Sequence, residues 1–286
     1  MPSWREDFVK DVTGLSNEDG KPGSGACASR RRPAVASCGI AVMAKASAAG
    51  RTKTRLVPPL NYQEAAAFNT AFLKDVAENL LAAGRQSSIA GYMAFGPPGS
   101  EEFFRGALPA DIGLVEAWLP NFGDCLFRAI ETVLECGHRG AVVLNSDSPT
   151  LPTSLLVETA NLLAEPGDRA VLGPASDGGY YLLGLTQAHR RIFADVEWST
   201  SRVADQTLER ARELGIDVHV LPPWYDVDDI NTLRILHAEL DTGHSFDAAL
   251  KPHRAPHTAE LMQSLLRRTD LAERLGVSPA LAGAAS

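Results

Sequence analysis

The sequence predicts an α/β fold on a largely parallel sheet. Three observations carry this. Short apolar runs of strand length alternate with longer stretches of helical spacing. The run Ala141-Val142-Val143-Leu144 is apolar throughout, as in a strand buried on both faces. Polar turns rich in Asp, Gly, Lys and Arg follow the strands, at the sheet edge where open α/β sheets bind ligands.

Taken in order, residues 1–36 carry Gly, Ser, Pro, Asp and Lys without a period and read as a disordered extension. Cys38 to Ala44 is the first strand. A loop with four cations follows, closed by Pro58-Pro59. Residues 62–83 form an Ala-rich helix with Phe68, Phe72, Leu73, Val76 and Leu80 on one stripe. Ser88 to Phe95 is a second strand, broken by Gly96-Pro97-Pro98-Gly99. Leu114 to Trp118 is a third, and Asp124 to Cys136 a helix. The strand 141–144 leads through Asp147 and Pro149 into a helix over Thr153 to Leu163, with proline near its first turn. Ala170 to Gly173 and Tyr180 to Leu185 are strands. Ser199 to Leu214 reads as a helix capped by Ser199 or Thr200. Ile216 to Leu221 is the last core strand, and Asp226-Val227-Asp228-Asp229 opens a helix to about Leu240. A helix over Thr258 to Leu275 belongs to a C-terminal appendage, residues 241–286. The resulting division is 1–36 extension, 37–240 α/β domain, 241–286 helical appendage.

Composition narrows the function. The 286 residues carry a net charge of −8, which argues against nucleic-acid binding driven by overall charge. No apolar run reaches the ~18 residues of a membrane span. Cys27, Cys38, Cys125 and Cys136 show no metal spacing and read as free thiols suited to a reducing cytoplasm. Arg30-Arg31-Arg32 before an Ala/Val run, and Val35-Ala36-Ser37-Cys38, mimic an export signal and a lipoprotein box. The run is short and begins some thirty residues in, so a cytoplasmic location is expected.

Four constellations carry candidate chemistry. Lys45, Arg51, Lys53 and Arg55, with Gly50 for close approach, would pair with phosphate oxygens; the P-loop pattern is absent. Asp147 just past a strand suits a divalent metal. Asp177-Gly178-Gly179 leaves room for a flat substrate part on bare backbone, and equally suits a hairpin turn. Asp226 and Asp228 would share the metal with Asp147, although Asp228 also suits a helix cap. All four follow strands, so one sheet edge gathers them.

Met43-Ala44-Lys45, Gly50, Lys53-Thr54-Arg55-Leu56, Ser146-Asp147-Ser148-Pro149, Gly173-Pro174-Ala175-Ser176-Asp177-Gly178-Gly179-Tyr180-Tyr181-Leu182 and Trp198-Ser199-Thr200 together resemble the DUF2064 family of GT-A-like glycosyltransferases, some described as arsenosugar-biosynthesis enzymes. The likeness spans roughly residues 38–240. More remotely, the Lys-Thr-Arg-Leu loop and Asp-Val-Asp are similar to those of 2-phospholactate guanylyltransferases and molybdenum-cofactor nucleotidyltransferases. The chain departs from the family at Ser47 and Ala49, where prolines are usual. It departs again at Gly123-Asp124-Cys125-Leu126, which lacks the second glycine of Gly-Asp-Leu-Gly. The Asp-x-Asp of many GT-A enzymes is reduced to Asn145-Ser146-Asp147.

The resemblance implies a three-layer α/β/α, nucleotide-diphospho-sugar transferase (GT-A-like) fold and a glycosyltransferase using a nucleotide-activated donor and a small-molecule acceptor. Mg²⁺ or Mn²⁺ would sit on Asp147 with Asp226 or Asp228. Asp177 would orient or deprotonate the acceptor, and Gly178, Gly179, Tyr180, Trp198, Ser199 and Thr200 would line the substrate. Two rival functions are a nucleotidyltransferase releasing pyrophosphate and a non-catalytic nucleotide-binding protein.

Overall fold

The structure, a computed structural model, describes residues 37–277. The expected N-terminal extension and the last residues of the tail lie outside that range.

Seven strands form one sheet in the order β3-β2-β1-β4-β6-β5-β7. They are β1 (Cys38–Lys45), β2 (Ile89–Gly96), β3 (Gly113–Glu116), β4 (Gly140–Leu144), β5 (Arg169–Pro174), β6 (Tyr180–Leu185) and β7 (Asp217–Val220). All neighbours pair in parallel except β6, which runs antiparallel to both β4 and β5. The β5–β6 link is the Asp177-Gly178-Gly179 turn. It is too short for the crossover of a dozen or more residues that a parallel pair needs.

The helices are α1 (Tyr62–Gly84), α2 (Glu101–Ala107), α3 (Phe122–Glu135), α4 (Thr153–Ala164), α5 (Val203–Glu213), α6 (Ile230–Thr242), α7 (Pro256–Arg268) and α8 (Leu271–Leu275). They cover both faces of the sheet, which gives the expected three layers. Alternation along β1 shows the division. Ile40, Val42 and Ala44 face a layer with Phe68 and Phe72 of α1 and Leu155 of α4. Ala41 and Met43 face a layer with Ala129, Ile130 and Val133 of α3. Among the described residues no helix is long and apolar enough to cross a membrane.

Several expectations need correction. Helix α2 was not expected. The predicted helix from Ser199 begins at Val203, because Ser199 takes a φ of 73° and Thr200 Oγ1 bonds back to the Glu197 carbonyl at 2.8 Å, closing a turn instead. The single helix predicted over 258–275 is two, α7 and α8. Cys38, the cysteine of the lipoprotein-like box, opens β1 and is buried in the core. Burial pushes its thiol up to about 12.

Candidate active site

β1, β4, β5 and β7 run the same way, so their carboxyl ends share one edge. Lys45 ends β1, Asp147 follows β4, Asp177 follows β5, and Asp226 and Asp228 lie past β7. Backbone bonds lock these segments together. Val227 donates its N–H to the Asp147 carbonyl at 2.8 Å, and Ser176 donates to the Trp224 carbonyl at 3.0 Å. The Ser148 hydroxyl bonds the Tyr225 carbonyl at 2.8 Å.

Lys53 sits at the centre. Its φ of 53° is left-handed, and this turns the side chain inward from the basic loop. The ammonium lies 2.8 Å from Asp147 Oδ1 and 3.2 Å from Asp228 Oδ1, and donates to the Val227 carbonyl at 2.8 Å. Its side chain is 2 % exposed. Burial opposes its charge, yet Asp147 and Asp228 hold the ammonium above the ordinary lysine value. Lys53 was expected on a phosphate; the structure places it on carboxylates. Arg55 pairs with Asp228 Oδ2 at 3.3 Å from a more exposed position.

The carboxylates outnumber these cations. Burial raises the Asp147 carboxyl, against the pull of Lys53. Burial also opposes ionisation of Asp228, but Lys53 and Arg55 hold it below the usual carboxylate range. Asp226 is different. Among the described residues no cation pairs with it, and burial together with Asp228, Asp177 and Asp147 pushes its carboxyl up to about 7. Asp147, Asp226 and Asp228 bring together oxygen donors of the type a hard divalent cation takes, although their oxygens are not drawn within 4.8 Å of one another as those of a closed ligand group are.

Asp228 does not cap α6, the alternative raised for it. Asp229 does, accepting from the Asn231 and Thr232 N–H groups at 2.8 and 2.9 Å. Asp228 is thereby left to face Lys53.

The remaining basic loop is framed from α1. Asn69 Nδ2 donates to the Lys45 carbonyl at 3.1 Å and to Ser47 Oγ at 2.8 Å. Gly50 supplies a φ of 75° in an open turn with Arg51 exposed beside it. The Lys45 ammonium lies 5.8 Å from the centroid of the Trp118 ring. That half-buried indole covers Gly96 at the end of β2, where a Cβ would lie 1.8 Å from the ring. Trp118 was read only as the end of a strand. The signal that could have singled it out is the glycine at the end of β2, which makes room for a flat ring.

The glycine-rich turn is occupied differently from expectation. Gly178 has a φ of 90°, and the space its Cβ would take is filled by the Ser201 backbone, whose carbonyl oxygen is 2.2 Å away. Bare backbone here receives the 199–203 segment, not a flat substrate. The Gly179 N–H bonds Asp177 Oδ1 at 2.9 Å, fixing the carboxylate over its own turn. Tyr180 was expected on substrate; its ring packs into the second core layer, its hydroxyl is enclosed without a hydrogen-bond partner among the described residues, and burial pushes the phenol up. Trp198 packs edge-on against Phe122, centroids 5.3 Å apart, and against Gly123. Ser199 and Thr200 complete the turn before α5. The second glycine missing from Gly123-Asp124-Cys125-Leu126 is replaced by a buried Leu126, and the Cys125 thiol bonds the Leu119 backbone.

A second group of possible ligands, Asp75, Glu78 and His257, lies at the α1–α7 contact, with ligand atoms within 4.8 Å of one another. Asp75 accepts the His257 and Thr258 N–H groups at 2.9 and 2.8 Å. It caps a helix whose own N-cap, Ala255, has no side-chain acceptor. His257 Nε2 meets Glu78 at 2.8 Å. The trio is accounted for as a joint between helices.

Residues 79–200 match a family model, DUF2064, described as an uncharacterized protein conserved in bacteria. No curated protein sequence matches the chain. Among solved structures, one from Desulfovibrio desulfuricans G20, described provisionally as a nucleotide-diphospho-sugar transferase, is similar with a TM-score of 0.70 and 24% identity, covering 85% of this chain and 99% of that one. CMP:2-keto-3-deoxy-manno-octonic acid synthetase complexed with CTP gives 0.46 and 12%, covering 73% of this chain and 100% of that one. A cytidylyltransferase from Leptospira borgpetersenii serovar Hardjo-bovis gives 0.47 and 12%, covering 82% and 95%. The chain thus matches DUF2064 over residues 79–200, and its fold is that of the nucleotide-diphospho-sugar transferases.

Proposed function

We propose that the protein is a metal-dependent glycosyltransferase that takes a nucleotide-diphospho-sugar donor and a small-molecule acceptor. The observation that carries this is the excess of buried carboxylate at the carboxyl edge, centred on Asp226. A divalent cation, Mg²⁺ or Mn²⁺, held by Asp147, Asp226 and Asp228 would neutralise charge on the leaving diphosphate. Lys53 holds Asp147 and Asp228 beside one another through their Oδ1 atoms, so the cation would draw on Asp226 and on the oxygens that Lys53 leaves open. Lys45, Arg51 and Arg55 would meet the diphosphate oxygens. The Trp118 indole offers an aromatic surface for the base at the same edge. Asp177, steadied by the Gly179 N–H, would orient the acceptor hydroxyl or take its proton.

A nucleotidyltransferase that releases pyrophosphate is the second reading, and the basic loop was its main support. Lys53 now serves carboxylates, which leaves fewer cations for a triphosphate and favours transfer of the sugar. Thermal unfolding with Mn²⁺ or Mg²⁺ and a panel of nucleotide sugars, nucleoside diphosphates and triphosphates tests the choice. Ligand at a hundred times its dissociation constant adds about 2.7 kcal/mol. Metal-dependent stabilisation by one nucleotide sugar and its diphosphate, lost in Asp226→Asn, is expected. Stabilisation by a triphosphate alone, with pyrophosphate release, would favour the second reading; no response to any member would remove both.

A further inference from the structure

The C-terminal stretch touches three of the loops that carry the central charges, by ring packing at one and through backbone carbonyls at the other two. At one end, Phe246 packs on Trp224 and Tyr225, with centroids 5.6 and 5.1 Å away, directly before Asp226. Glu239 of α6 ties the same place, accepting from the Tyr225 hydroxyl at 2.7 Å and the Phe246 N–H at 3.0 Å. In the middle, the His253 N–H bonds the Thr150 carbonyl at 3.0 Å, three residues past Asp147. At the far end, the Arg274 guanidinium reaches the Pro59 carbonyl and grips both oxygens of Glu64 at 2.9 and 2.8 Å. The Leu275 carbonyl accepts from Arg234 of α6 at 2.8 Å.

We propose that residues 246–276 are a brace that fixes the site loops relative to one another, and that Arg274 is the positioning residue for the loop carrying Lys53 and Arg55. That loop runs from Ala46 to Asn61 with only one short 3-10 turn, Thr54–Leu56, of regular structure. Ordering it costs chain entropy that local hydrogen bonds alone must otherwise offset. Arg274 addresses its exit. Glu64 stands at the third position of α1, and its Oε2 already accepts the Asn61 N–H at 2.8 Å in a capping box. One buried carboxylate thus joins the loop's end, the first turn of α1 and α8. A planar guanidinium meeting both carboxylate oxygens and a carbonyl fixes orientation as well as distance, which a lysine ammonium does not. Asp75, by capping α7, fastens the middle of the brace to α1.

The test compares full-length wild type, Arg274→Met, Arg274→Lys and Glu64→Gln by hydrogen exchange and by titration with Mn²⁺ alone. Glutamine keeps the capping box while weakening the ion pair, so Glu64→Gln carries the comparison if Arg274→Met does not fold. The Leu56, Val57 and Leu60 amides, all bonded within the loop, are expected to exchange on the order of tenfold faster in Arg274→Met. The amides of α3 should be unmoved, and Arg274→Lys should rescue in part. Mn²⁺ affinity should fall by a similar factor, an arm that rests on the proposed function. Wild type that takes up no Mn²⁺ would sink that function, while the exchange arm still reads the brace. Loop amides unchanged in a folded Arg274→Met, or a uniform acceleration across the protein, would overturn the brace.

Discussion

Lys53→Met removes the charge at the centre of the site while keeping most of its bulk. The structure sets the size of the effect. The ammonium is buried, paired with two carboxylates at 2.8 and 3.2 Å, and bonded to the Val227 carbonyl. Deleting one partner of a buried pair leaves its counter-charge uncompensated and costs about 3–5 kcal/mol. For a domain of this size, that corresponds to a fall in Tm on the order of 6–20 °C. The pH dependence has a definite sign. Lys53 has a folded value above its ordinary one, so its contribution is complete below about 10.4 and is lost as pH rises through the folded value. Urea denaturation of wild type and variant at pH 8 should therefore show the full deficit, and the two should converge only in strong alkali. At low pH the gap should also narrow, as Asp147 and Asp228 protonate in the variant. A variant within about 1 kcal/mol of wild type at pH 8 would place the lysine among exposed pairs and refute the inward-facing geometry.

Other perturbations test the neighbouring statements. Asp226 has a folded value near 7 against an ordinary 3.8, so the metal-free protein loses stability as pH rises between these values. Asp226→Asn removes that loss and should stabilise the metal-free protein at pH 8 by on the order of 2–4 kcal/mol, measured by denaturant unfolding. Burial lowers the His138 value, its ring bonded at 2.7 Å to both Ser37 and Tyr92. Wild-type stability should accordingly fall as pH drops below about 6.5, with a shallower slope in His138→Gln. Gly178→Ala meets the Ser201 carbonyl and a φ of 90°, and should cost more than about 1 kcal/mol with greater protease sensitivity near residue 200. Asp75→Ala should cost about 1–3 kcal/mol and speed exchange at the first turn of α7 before any change elsewhere.

The layers and the shared edge were legible because they follow from period and order. Apolar runs at strand length, separated by amphipathic stretches, leave few arrangements, and each polar turn after a strand lands at the same edge. The direction of β6 was legible in part. Asp177-Gly178-Gly179 carried a hairpin signal, and the short link excludes a parallel crossover; the competing reading of a bare substrate platform missed that the 199–203 segment comes back to fill it. What the pattern could not separate were adjacent residues of the same type. Asp228 and Asp229 are equally good caps in one dimension, and only the entry angle of α6 gives the cap to Asp229 and the site to Asp228.

Lys53 shows why a basic loop in sequence is an ambiguous phosphate signal. A cluster of cations invites a count of charges, but a count treats all four as facing outward. One left-handed residue turns Lys53 into the core, where its partners are residues 94 and 175 positions away in the chain. Its charge then offsets carboxylates that would otherwise repel one another, and the loop's capacity for phosphate falls by the same charge. The two rival chemistries differ in how much phosphate they must hold. The fold of the loop, more than its composition, therefore bears on the proposed diphosphate donor, and a folded Lys53→Met protein that selectively lost affinity for a nucleoside triphosphate over its diphosphate would reverse that inference.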